Sequence, residues 1–202
     1  MTNTEISVLR FGGTRLPRAL ASLPRHDDPD PDAIDAAVKG ASRVVIVGSA
    51  ADLATVLTRL MRTERLDIEV ALVSRWRGAR RALTGVAQRI PLIRDETGTA
   101  LIDAAFWLPP GDDRVIYGEA VVDDDVLFDG EVTAVRIEPT ASMPGLRAAA
   151  LTSRMRPRRW LTGRAVQLGT TGARVVRDGV ELPREAKRSA FYRHTTGWLR
   201  VS

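Results

Sequence analysis

Gly48 and Ser49 stand between a run of β-branched residues, 44–47, and an amphipathic stretch, with Asp52 three positions after Ser49. A glycine turn from strand to helix leaves the first helical N–H groups pointing out of the turn, where they can meet an anion. Ser49 and Asp52 have the spacing of a capping box. Gly12 and Gly13 form a second glycine turn, after the apolar residues Ile6, Val8 and Phe11. Arg75, Arg77 and Arg80, in the segment RWRGARR, follow a third apolar run and would add positive charge. Gly12, Gly13, Gly48, Ser49, Asp52, Arg75, Arg77 and Arg80 are therefore the candidate ligand-binding residues, and the chemistry they fit is phosphate recognition. The alternative is that the turns only connect strands to helices, as many α/β domains do.

Two further clusters carry charge. Asp123, Asp124 and Asp125 are consecutive carboxylates at a strand end, a candidate site for a hard cation such as Mg²⁺, although an acidic turn before Val126 is the simpler explanation. Arg154, Arg156, Arg158 and Arg159, in RMRPRRW, have no acidic neighbour in sequence and form a candidate anion or membrane patch. The two histidines, His26 and His194, lie far apart. HExxH, GxSxG and GxxxxGK[ST] do not occur, which argues against zinc hydrolase, α/β-hydrolase and P-loop chemistry. There is no cysteine, so disulfides, thiolate metal sites and cysteine nucleophiles are excluded.

The elements that must position these residues fall into two textures. Residues 6–11 read as a strand, 16–23 as a weak helix, and 26–32 as a polar loop. Asp32 is placed to cap a helix ending at Val38. Residues 44–47 form a doubly buried strand, and Leu53, Val56, Leu57, Leu60 and Met61 form one helix face. Residues 67–73 form the next strand. This alternation indicates a parallel sheet. From residue 90 short β runs take over: 101–108, 115–122, 131–137, 160–168, 173–177, 189–194 and 198–201. Asp129-Gly130 and Asp178-Gly179 have hairpin-turn chemistry. The expected fold is an α/β N-terminal domain with a parallel sheet, residues 1–90, followed by an antiparallel, sandwich-like β-domain, residues 91–202.

Arginine outnumbers lysine 28 to 2, a bias of the kind that a GC-rich bacterial genome produces. The distribution is more telling than the total. Residues 141–202 hold 13 basic and 3 acidic side chains, whereas residues 1–140 hold 17 and 22. Such asymmetry points to a basic face with an anionic partner, or to a basic domain docked on an acidic one. No apolar run reaches 18 residues, and the first residues lack the pattern of a signal peptide; a cytoplasmic protein, with peripheral membrane association as an option, is expected.

The strand at 44–47, then Gly48, Ser49, Ala50, Ala51, Asp52 and Leu53, resembles the strand, Gly-Gly-Asp-Gly-Thr and helix of the diacylglycerol kinase and NAD kinase superfamily. The α/β-then-β layout and the strand at 67–73 are similar too. The resemblance implies a phosphate-bearing small molecule, a nucleotide or lipid head group, in a cleft between the two domains, with ATP and Mg²⁺ as the family's cofactors. Ala50 stands where the family has its signature aspartate, and Ala51 where it has a glycine. The expectation is therefore a degenerate relative, non-catalytic or weakly active. An active Mg-dependent phosphotransferase is the first alternative. A nucleic-acid-binding or protein-interaction module, using Trp160, Phe191, Tyr192 and Trp198, is the second, and a homodimer is a further option.

Overall fold

The computed structural model of the protein describes residues 5–74 and 78–202. In chain order it begins β1 (Ile6–Arg10), β2 (Arg25–Asp27), α1 (Pro31–Val38), β3 (Arg43–Val47), α2 (Ala50–Arg62), β4 (Glu69–Val73), α3 (Ala79–Thr84) and β5 (Ala87–Ile90). An antiparallel region follows: β6 (Ile93–Asp95), β7 (Ala100–Leu101), β8 (Ala105–Leu108), β9 (Ile116–Val122), β10 (Asp125–Val132) and β11 (Ala134–Pro139). It continues through β12 (Leu146–Leu151), β13 (Leu161–Gly163), β14 (Ala165–Arg177), β15 (Val180–Glu181) and β16 (Ala186–Arg193). The chain ends on β17 (Trp198–Val201).

Two compact units result, one of Met1–Ile90 with Thr196–Ser202, the other of Pro91–Thr195. The first is a six-stranded sheet in the order β2-β1-β3-β4-β17-β5. β2, β1, β3, β4 and β17 run parallel, and β5 pairs antiparallel with β17. Every residue of β3 is buried, as its unbroken β-branched run requires of a central strand. Val45 and Val47 of β3 pack with Val8, Leu20, Ala71, Val73, Ala79 and Ala82. α2 buries Leu53, Val56, Leu57 and Leu60 and opens with the expected capping box. A two-pronged contact from Arg59 to Asp35, 2.8 and 2.5 Å, ties α2 to α1. That hydrogen bond holds the Asp35 carboxyl below the usual carboxylate range.

In the second unit the sheet path runs β13-β12-β11-β8-β14-β16-β6-β7, with β9 and β10 added through β14. The thirteen-residue β14 serves two layers. Residues 165–170 pair with β16 and β9, whereas residues 174–177 pair with β8. Its register breaks between Gly169 and Ala173, where the strand turns from one layer to the other. Between the layers lie Trp107, Phe191, Ile137, Leu146, Val166 and their neighbours. Trp107 Nε1 donates to Ser189 Oγ at 3.0 Å, which satisfies both polar atoms inside the core.

The α/β-then-β fold is therefore as expected, but several local readings change. The strand at 198–201 belongs to the first unit, because Leu199 and Arg200 pair with Glu69 and Val70 of β4. Asp129-Gly130 is not a turn; it lies within β10, with Gly130 opposite Gly118. The hairpin turn is Asp123-Asp124, with Asp123 at φ 50°. Asp178-Gly179 is a hairpin turn, both residues having positive φ as such a turn needs. The polar segment at 26–32 contributes an edge strand, β2, and α1 is capped by Asp30 rather than Asp32. The helix expected at 16–23 is a single 3-10 turn, Arg18–Leu20.

Candidate functional site

The strand order makes one edge of the first unit special. From β1 the chain moves outward to β2, then returns over β1 to β3 and continues to β4. The direction of winding therefore reverses between β1 and β3. In open α/β sheets the crevice beyond the C-terminal ends of two such strands is where ligands bind. Gly12 and Gly13 follow β1 there, at φ 60° and 61°, and Gly48 and Ser49 follow β3. Phe11 N–H donates to Val47 O at 3.0 Å, so the two turns are neighbours. Residues 36 positions apart in sequence are thus brought to one edge.

Their amides are not all available, and this corrects the simplest reading of Gly48 and Ser49 as anion donors. Gly48 N–H donates to Val73 O at 3.3 Å. Ser49 N–H and Ser49 Oγ both donate to Asp52 Oδ2 at 2.7 Å, and Asp52 N–H donates back to Ser49 Oγ at 3.3 Å. Gly48 allows this fold-back, since a Cβ there would lie 2.5 Å from Asp52 Oδ2. Across the crevice Gly12 N–H donates to Asp28 Oδ1 at 2.6 Å. Asp28 and Asp52, two of the chain's own carboxylates, therefore sit on amides that a phosphate would use. Ala50 and Ala51 open α2 with N–H groups that have no hydrogen-bond partner among the described residues. Asp28 was not singled out from the sequence. Its signal was present in the acidic segment HDDPDPD, but nothing local tied it to Gly12.

Arg75 and Arg77 lie outside the described residues. Arg80 is exposed in the first turn of α3, which follows β4. The cation role expected of Asp123, Asp124 and Asp125 does not match the geometry. The Asp123 carboxylate accepts from Arg164 N–H, at 3.0 and 2.9 Å, and from Ala165 N–H at 2.9 Å, so it staples β9 to the start of β14. Asp124 and Asp125 are exposed. Among the described residues no three carboxylate or imidazole groups converge to hold a metal. His26 is in the edge strand β2. His194 follows β16 in the other unit. Arg154, Arg156, Arg158 and Arg159 are exposed on the connection from β12 to β13.

The second unit carries an open depression of 480 Å³ floored by Gly118, Gly130 and Gly169 and edged by Tyr117, Glu119, Asp129, Thr170 and Thr171. Gly118 is needed there, at φ 159°, because a Cβ would run into the Gly169 carbonyl oxygen. Its rim is acidic, and Glu131 raises the Tyr117 pKa further, so the depression does not suit a phosphate. The phosphate-type candidate remains the β1/β3 edge.

A parallel sheet reversing between its first and third strands, followed by an antiparallel β-sandwich and a returning last strand, defines the class of fold found in diacylglycerol and NAD kinases. Solved structures bear this out. A diacylglycerol kinase from Bacillus anthracis aligns over 100% of this chain and 98% of its own with a TM-score of 0.78 at 8% identity. An NAD kinase from Archaeoglobus fulgidus, solved in complex with ATP, aligns over 98% and 93% with a TM-score of 0.64 at 11% identity. Yeast NADH kinase, complexed with NADH, aligns over 100% and 84% with a TM-score of 0.64 at 8% identity. No family model matches the chain, and no curated protein matches it in sequence. The chain has the diacylglycerol and NAD kinase fold with a sequence far diverged from these structures.

Proposed function

We propose that the protein is a non-catalytic or weakly active relative of the diacylglycerol and NAD kinases that binds a phosphate-bearing ligand, a nucleotide or a lipid head group. The observation that carries this reading is the pair of glycine turns at the β1/β3 reversal, beside the unpartnered N–H groups of Ala50 and Ala51. Small side chains at both positions let a phosphate approach the start of α2, where the helix dipole favours negative charge. Arg80 adds a cation on the element after β4. ATP and NADH in two proteins of this fold support a nucleotide over other phosphates. The same turn supports binding over transfer. Ala50 offers no oxygen to hold Mg²⁺ or accept a proton, and Asp52 is committed to its capping box. The carboxylates on this edge, Asp28 and Asp52, are each held by a backbone amide and do not fit a metal site.

Titration of melting temperature with ADP, ATP, NAD and glycerol phosphate tests this reading. One of them should raise stability saturably, by about 2.7 kcal/mol at a hundred times its dissociation constant. Asp52→Asn retains a cap acceptor but removes a negative charge beside the incoming phosphate. A unit charge about 4 Å away in water is worth about 1 kcal/mol, so binding should tighten about five-fold. Absence of binding by all four, or an Asp52→Asn protein that binds no more tightly, defeats the reading. Robust turnover of diacylglycerol or NAD with Mg-ATP defeats its non-catalytic part.

A further inference from the structure

The connection from β12 to β13 is a built turn. Met155 N–H donates to Thr152 O at 2.8 Å, Thr152 N–H to Arg156 O at 2.9 Å, and Arg156 N–H to Thr152 Oγ1 at 3.2 Å. Arg158 N–H donates to Ala150 O at 3.0 Å, and Leu151 bridges Pro157. On this frame Arg154, Arg156, Arg158 and Arg159 are all exposed. None of the four makes an ion pair or side-chain hydrogen bond among the described residues, although Arg136, Arg147, Arg174 and Arg177 of the same unit all face carboxylates. Among the described residues of its own unit, the basic loop is thus not docked on acidic groups. At its apex Met155 is 49% exposed and has φ 57°. Glycine, asparagine or aspartate would occupy that left-handed position at lower cost than methionine. A strained backbone that holds an apolar side chain out in water is an outlier of the kind that marks function.

We propose that this loop docks on an anionic lipid surface, with Met155 entering the acyl boundary and the four guanidinium groups on the head-group phosphates. A bilayer interface is the surface that satisfies an apolar tip and a ring of cations together. Single-stranded nucleic acid is held instead by open aromatic faces. The aromatic residue at the base of this loop, Trp160, is half-buried and has the Arg147 guanidinium 4.3 Å from its ring centre. The attachment is weak and reversible, and it is independent of any ligand at the β1/β3 edge.

Sedimentation of the full chain with vesicles tests the proposal. The parent protein should sediment with phosphatidylcholine vesicles containing phosphatidylglycerol and stay in solution with pure phosphatidylcholine. The triple variant Arg156→Gln, Arg158→Gln, Arg159→Gln should lower partitioning on the order of 100-fold with an unchanged melting temperature. Met155→Asn should also weaken partitioning while leaving the melting temperature equal or higher, because asparagine suits the backbone there. A parent protein that ignores phosphatidylglycerol overturns the proposal, as does a Met155→Asn protein that sediments like the parent. Binding to a single-stranded oligonucleotide that the triple variant loses, without vesicle binding, assigns the loop to nucleic acid and also overturns it.

Discussion

His194 shows how one half-buried ring sets a pH response. Its backbone N–H donates to Leu92 O at 2.7 Å, which fixes the residue's place, and partial burial of the ring, reinforced by the nearby Arg94 cation, lowers its pKa from the ordinary 6.5. The folded chain therefore favours the neutral imidazole, and the unfolded chain takes up the proton first as pH falls. Stability linked to His194 is complete above about pH 6.5 and is lost below it. The melting temperature should begin to fall as pH drops through about 6.5, before most carboxylates titrate. His194→Gln should flatten that segment of the curve, and an unchanged slope in this variant refutes the assignment. Asp28 and Asp52 teach a related lesson at this scale. A carboxylate on a backbone amide stabilises a turn and opposes an incoming phosphate at the same time.

Among the elements, α3 depends on a residue of another strand. Six residues are too few for a helix to persist by itself. Arg43, at the start of β3, donates to Ala82 O at 3.1 Å, Leu83 O at 2.6 Å and Gly85 O at 3.0 Å, and its Nε reaches Glu69 at 2.7 Å. One buried guanidinium thus satisfies carbonyls at the C-terminal end of α3 and pairs with β4. Arg43→Leu should cost about 3–5 kcal/mol, because it leaves Glu69 and these carbonyls without their partner. Arg43→Lys should recover little, since an ammonium cannot reproduce the planar fork. Denaturant melts give the magnitude, and amide exchange should show residues 79–85 opening first. Uniform destabilisation without local opening contradicts the role given to Arg43.

For the whole molecule, the decisive feature is the return of the chain to its first sheet. Trp198 and Val201 of β17 are buried, and the strand separates β4 from β5. Truncation after Thr195 removes the strand that pairs with both and leaves two edges unpaired. The truncated chain should lose cooperative folding of residues 1–90, while the sandwich, whose core is its own, stays protected. Limited proteolysis checks this: cleavage should concentrate before Pro91. Equal resistance of both units would show that β17 is dispensable.

Much of the first unit, and one hairpin of the second, was legible because the signals are local. The buried strand at β3, the capping box of Ser49 and Asp52, the face of α2 and the chemistry of Asp178-Gly179 are each encoded within a few neighbouring residues. β2 was not legible, since three polar edge residues carry no alternation, nor was β12, whose alanines have weak β preference and are held by burial. Asp129-Gly130 misled because turn chemistry is also tolerated in a strand beside another glycine. The sequence by itself determined two textures, the order of the local elements and the glycine turns that could meet an anion. Only the tertiary structure decided that Gly12 and Gly48 share an edge, that Asp28 occupies the amide of Gly12, that Asp123 staples two strands, and that the last strand completes the first sheet. Those facts depend on pairings between residues from 16 to more than a hundred positions apart, which no local propensity or spacing records.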